Sequence, residues 1–173
     1  MNTHNALSSS TGLLLSIVLG AVCPGVLPWL VQDGQKTRAT IFAQQIVDDT
    51  LVAHPEIEGL ELATTPPGKT ECITIASTDA KEIGEKCGKD EFTAIETNAP
   101  FVEKETENGK EVFDVTLPIH DSNGQRVGTV GMDFKPEPRQ EQAKVIERAK
   151  QIAKELESRI ITKERLFEPT SST

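Results

Sequence analysis

The feature that most constrains this chain is Asp121-Ser122-Asn123-Gly124, set between the alternating runs Glu111–His120 and Arg126–Lys135. Asn-Gly between two period-2 stretches is the strongest short-range signal for a β-hairpin. A two-residue turn at Asn123-Gly124 fixes the expected register. Ser122 then pairs with Gln125, His120 with Val127, Pro118 with Thr129, Thr116 with Gly131 and Asp114 with Asp133. On the other face Phe113 meets Phe134, Val115 meets Met132, Leu117 meets Val130 and Ile119 meets Gly128. That second face is apolar and must pack against helices. The first sets two carboxylates opposite each other, which destabilises a strand pair. Either the face is solvated and a neighbouring Lys or Arg compensates, or the pair lines a pocket that awaits a cation or shares a proton. A one-residue slip would dissolve the pairing.

The rest of the chain supplies elements to complete a sheet. Apolar residues from Arg38 to His54 recur at helical spacing (Ala39, Phe42, Ala43, Ile46, Ala53, with Ile41, Val47 and Leu51), a helix of about four turns that Pro55 ends. Gly59–Thr65 and Glu71–Ser77 read as an antiparallel hairpin around Pro66-Pro67-Gly68-Lys69. Thr78-Asp79 is a candidate helix N-cap before AKEIGEKC, within a short helix and loops over 79–98. Pro100–Glu105 reads as a strand, with a turn at Glu107–Lys110. Pro138–Ile160 is an amphipathic helix with the seam Val145, Ile146, Ala149, Ile152, Ala153, Leu156 and Ile160. The expected fold is therefore α+β: a five-stranded antiparallel sheet between a long N-terminal and a long C-terminal helix.

The segment Leu13–Val31 carries no charge and would reach roughly 28 Å as a straight helix. Pro24 and Pro28 interrupt it, and Leu13–Val22 has the length of a signal-peptide core. Residues 1–31 read as a cleaved signal peptide or a retained membrane anchor, with a buried globular helix as the remaining reading; lipid attachment at Cys23 is disfavoured by Val22 before it. Residues 32–37 form a linker, 38–160 the domain and 161–173 a flexible Thr/Ser-rich tail. The product is expected in the periplasm or outside the cell. There Cys72 and Cys87 read as a disulfide, with two unpaired thiols as the other reading.

Composition narrows function. With 36% apolar residues, six Phe, one Trp and no Tyr, the 173 residues support one modest core. The formal charge of −9 argues against a nucleic-acid backbone as partner. His4, His54 and His120 lie far apart and the cysteines form no metal motif, so no metal or cofactor is expected. There is no Gly-rich phosphate loop, and Ser77 has no neighbouring His. The chain reads as a non-enzyme.

Three segments resemble the Cache family of extracytoplasmic sensors: FAQQIVDDTLVAHPEIEGLELA, CITIASTDAKEIGEKC and DVTLPIHDSNGQRVGTVGMDF, in that order over most of 38–135. The resemblance implies a PAS-like fold whose concave sheet face binds a small molecule such as a carboxylate, amino acid or amine. An Asp in the position of Asp133 often holds a ligand amine in that family. It favours the pocket reading: Asp133 and Asp114 contact a cationic or amine-bearing ligand, and Thr116 and Thr74 add hydrogen bonds. The chain departs from the family pattern in having no Tyr and in placing Trp29 in the export segment, away from any ligand. No signalling segment follows the last helix, so a separate membrane signalling protein is the expected output partner. A helix-mediated homodimer or partner-binding module is the alternative function.

Overall fold

A computed structural model describes residues 40–107, 110–137 and 141–170. The segments read as an export signal and a linker, the centre of the 107–110 turn, the expected start of the last helix at Pro138 and the final three residues lie outside them. In chain order the elements are α1 (Phe42–Ala53), β1 (Ile57–Thr64), β2 (Ile73–Ser77), α2 (Lys89–Thr97), β3 (Phe101–Glu107), β4 (Lys110–His120), β5 (Arg126–Phe134), α3 (Gln142–Glu157) and a 3-10 turn, η1 (Glu164–Phe167). The strands form one antiparallel sheet in the order β2-β1-β5-β4-β3. No described helix is long and apolar enough to cross a membrane.

The alternation in β4 and β5 settles which side is the core. Phe113, Val115, Leu117, Val130, Met132 and Phe134 are buried on one face with Leu60 and Leu62 of β1. α1 presses Ala43, Ile46 and Val47 onto this layer, and α3 presses Val145, Ala149, Ile152, Ala153 and Leu156. Burying each Ile, Val or Leu among them contributes about 1.5–3 kcal/mol before entropy is counted. The α3 seam therefore packs on the sheet, with Ile146 half-buried at its margin. α2 packs on the opposite, polar face, against β4, β3 and β5.

The hairpin register holds from Phe113↔Phe134 to Ile119↔Gly128, including Asp114↔Asp133. It fails at the turn, where His120 pairs with Arg126 and not Val127. Asp121 is the reason. Its Oδ1 accepts from the Asn123 and Gln125 amides at 2.8 and 2.9 Å, and the Asp121 amide donates to Gln125 O, where Ser122 was expected to pair. The loop is one residue longer than a two-residue turn, and Gly124 takes φ +74° within it.

Three other expectations change. The described part of the first helix is 12 residues, just over three turns, and the last helix is 16 residues. Residues 79–86 form turns rather than a helix. The backbone there is claimed by β2: Gly84 N donates to Thr74 O and Thr74 N to Glu85 O, both at 2.9 Å. Residues 161–170, expected as a tail, are packed. Leu166 is buried, Phe42 N donates to Glu168 O at 2.8 Å, and Thr170 N donates to Thr40 O at 2.7 Å.

A polar cluster around the buried His54 ties the end of α1 to α3. Arg148 Nη2 donates to His54 Nδ1 at 3.1 Å, so Nδ1 must accept and Nε2–H faces Glu155 Oε2 at 3.0 Å. The same guanidinium donates through Nε to Glu56 at 2.7 Å. Cys72 and Cys87 form a disulfide with a Cα–Cα distance of 5.4 Å. A loop of that size stabilises by roughly 3 kcal/mol in the chain-entropy model.

Candidate functional site

The polar sheet face and the α2 N-terminus enclose an open cavity of about 230 Å³. Its floor is built from β1, β4 and β5: Glu61, Asp114, Gly131 and Asp133 lie side by side because β5 pairs with both neighbours. Its wall is the segment Glu82–Glu91, which brings Glu82, Glu85, Lys86, Gly88, Asp90 and Glu91. Seven of the lining residues are carboxylates and Lys86 is the one base among them. Lys86 Nζ donates to Glu71 at 2.7 Å on the exposed side.

Two glycines make room for the floor carboxylates. A Cβ at Gly59 would lie 1.9 Å from Asp133 Oδ2, and one at Gly131 would lie 2.9 Å from Glu61 Oε1. Each glycine stands opposite the acid it accommodates, Gly59↔Asp133 and Glu61↔Gly131. Removing a side chain from one strand lets the neighbour's carboxylate lie across the sheet.

Several of the acids accept hydrogen bonds from neighbouring hydroxyls and a backbone amide. Glu61 accepts from Thr74 Oγ1 at 3.1 Å, and Asp90 accepts from Thr116 Oγ1 at 3.2 Å. Glu91 reaches back to the Gly88 amide at 2.6 Å, closing the first turn of α2. Asp90 and Glu91 also face the positive end of that helix. Glu82 accepts from Ser77 Oγ at 2.6 Å. The balance is unfavourable to charge. Burial, then the nearby Glu91, push the Glu61 carboxyl up to about 8. Burial, then Asp133 across the strand pair, push Asp114 up to about 7. Burial and Asp90 raise Glu91 as well. A proton or a cation lowers the electrostatic cost of this arrangement.

Of the four residues singled out from the sequence, Asp114, Asp133 and Thr74 line the cavity. Thr116 is buried at its edge and acts on Asp90. Sequence reasoning missed Glu61, Glu82, Glu85, Asp90 and Glu91. Glu61 carried one usable signal, since it alternates with the core residues Leu60 and Leu62 and so had to project to the polar face. Carboxylate oxygens of Glu61, Asp90 and Glu91 lie within 4.8 Å of one another, a spacing that could hold a metal ion.

No protein-family model matches the chain, and no curated protein matches it. Among solved structures, the chain is similar to the GAF domain of a two-component sensor histidine kinase from Bacillus halodurans. The identity is 10% and the TM-score 0.46, covering 65% of this chain and 89% of that chain. It is also similar to the second GAF domain of DevS from Mycobacterium smegmatis, with 13% identity, TM-score 0.44 and coverage of 65% and 88%. The E. coli DcuS sensor domain gives 17% identity, TM-score 0.38 and coverage of 63% and 70%. Likeness of this degree assigns neither a family nor a ligand.

Proposed function

We propose that the domain is an exported PAS-like sensing module that binds a small organic cation in the acidic cavity. The observation that carries the reading is the convergence of Asp114, Asp133, Glu61, Asp90 and Glu91, from three strands and a helix, on one open space of about 230 Å³. A face that was merely solvated has no need of glycines cut out to admit its carboxylates. The volume suits a ligand of several heavy atoms, with an ammonium on the floor and a polar body towards the Glu85–Lys86 rim. Asp133 and Asp114 would take the ammonium, and Thr74 and Thr116 would orient the acids next to it. The disulfide fits an oxidising compartment.

A divalent cation is the second reading, favoured by the Glu61–Asp90–Glu91 spacing. Hard oxygen donors of this kind suit Ca²⁺. One thermal-shift screen of the purified chain separates the readings, using primary amines and diamines, the matching carboxylates, and Ca²⁺ and Mg²⁺. Amines that raise Tm where carboxylates do not support the first reading. A rise with Ca²⁺ alone supports the second. No rise with any cation contradicts both.

A further inference from the structure

The cavity wall is not a regular element. Residues 84–87 lie along the outer edge of β2 on the two backbone bonds between Thr74 and the Gly84–Glu85 pair, with Cys87 N donating to Cys72 O at 3.1 Å. The disulfide locks that contact, and Gly88, the next residue, caps the helix that presents Asp90 and Glu91. The wall therefore sets acidic side chains against an acidic floor, and its covalent tie to the sheet is Cys72–Cys87. The other side of the tie is open. Cys72 lines a separate groove of about 290 Å³ with Phe92, Ile95, Arg126 and Lys163. Two cationic side chains in one groove favour the thiolate form of a sulfur arriving or leaving there.

We propose that Cys72–Cys87 is a redox-sensitive clasp on the acidic cavity: reduction from the Cys72 groove frees the Glu82–Glu91 wall and weakens cation binding. The thiolate of a dithiol reductant attacks Cys72 Sγ, the Sγ–Sγ bond breaks, and Cys87 leaves as thiolate and takes a proton from water. The reductant's second thiolate then attacks its own sulfur in the mixed disulfide and displaces Cys72, which leaves as a thiolate and takes a proton from water. Two electrons pass to the protein and the reductant ends as a disulfide. With the covalent tie gone, the wall is held by three edge hydrogen bonds and by the Ser77–Glu82, Thr116–Asp90 and Lys86–Glu71 contacts, and it loosens. The binding consequence rests on the cation reading above, but the motion does not.

The experiment is amide hydrogen exchange on the full chain, before and after incubation with dithiothreitol under native conditions, with alkylation mapping to confirm that both Cys72 and Cys87 are reduced. The expected result is exchange about tenfold faster or more at Thr74, Gly84 and Cys87, with β4 and β5 amides changed by less than about threefold. The Cys72→Ser/Cys87→Ser double variant should reproduce this pattern without reductant. Resistance of the folded protein to dithiothreitol overturns the proposal. So does unchanged exchange at Gly84 and Cys87 after confirmed reduction. Equal acceleration in β4 and β5 also overturns it, because the bond is then a global staple. A loosened wall in a protein that binds no amine and no Ca²⁺ upholds the clasp and removes the ligand reading alone.

Discussion

Asp114 of β4 stands directly opposite Asp133 of β5, and both carboxylates border one cavity. The pair costs stability whenever both are ionised. Asp114→Asn keeps the shape and removes one charge. Without ligand it should stabilise the domain by about 1 kcal/mol at pH 8 and change little at pH 5, where Asp114 is already protonated. Urea unfolding at the two pH values measures this. A loss of stability at pH 8 would show that the carboxylate has a stabilising partner.

The wider pH dependence has the same sign. Glu61 sits at about 8 and Asp114 at about 7 in the fold. In the unfolded chain both return to ordinary values near about 4. The folded state therefore keeps protons that the unfolded state gives up. Their contribution is fully present below about pH 4 and is lost as pH rises through 7 and 8. Stability of the empty domain should fall between pH 5 and pH 8. Glu56 runs the other way. Burial raises its carboxyl, but its backbone hydrogen bond and Arg148 leave it below the ordinary value, so its contribution is lost only in stronger acid. Rising stability across pH 5–8 would contradict the protonated state assigned to the cavity.

The hairpin face was legible in the sequence because two local signals agreed: strict alternation, and Asn-Gly at the turn. They set Asp114 against Asp133, a register that the longer loop reaches only through the bulge at Ile119/His120, and placed Phe113, Val115, Val130 and Met132 in the core. The seam of α3 was legible for the same reason, as a period of 3.6 continued over four turns. The wall was not. Asp79 looked like a helix cap, and its Oδ1 does accept the Lys81 amide at 2.9 Å. Whether a helix follows depends on the edge of β2 competing for the same backbone, which no local pattern records. Asp90 and Glu91 met Glu61 only because α2 packs on the polar face. The bulge that seats His120 opposite Arg126 arose from one side chain, Asp121, bonding its own loop.

Three glycines give a graded test. At Gly131 a Cβ meets Cγ and Oε1 of the flexible Glu61 side chain, both at 2.9 Å. Gly131→Ala should displace Glu61 from Thr74, weaken cation binding about tenfold or more and cost about 1 kcal/mol. At Gly59 the obstacle is the Asp133 carboxylate, with the same consequence for binding. At Gly128 it is the Ala63 carbonyl oxygen at 2.2 Å, which is backbone and cannot swing away. Gly128→Ala should therefore cost the most, about 3 kcal/mol, with thermal denaturation as the measure. Equal Tm values for Gly128→Ala and Gly131→Ala would contradict this ranking.

Thr129 is almost fully buried, and its hydroxyl has no hydrogen-bond partner among the described residues. Leaving such a group unpaired costs about 1–3 kcal/mol, so Thr129→Val, which keeps the shape, should be neutral or stabilising by about 1 kcal/mol. A clear drop in Tm would show that the hydroxyl is bonded in solution.

The central claim is that the cavity takes a cation in place of the protons it holds when empty. Calorimetric titration at pH 7 tests this most directly, using the amine with the largest thermal shift in two buffers of different ionisation enthalpy. Glu61 and part of Asp114 must ionise to meet the ammonium, so binding should release at least about half a proton per ligand. In Asp133→Asn the binding heat should fall away. An amine that binds without releasing protons, or equally well to Asp133→Asn, would contradict the account.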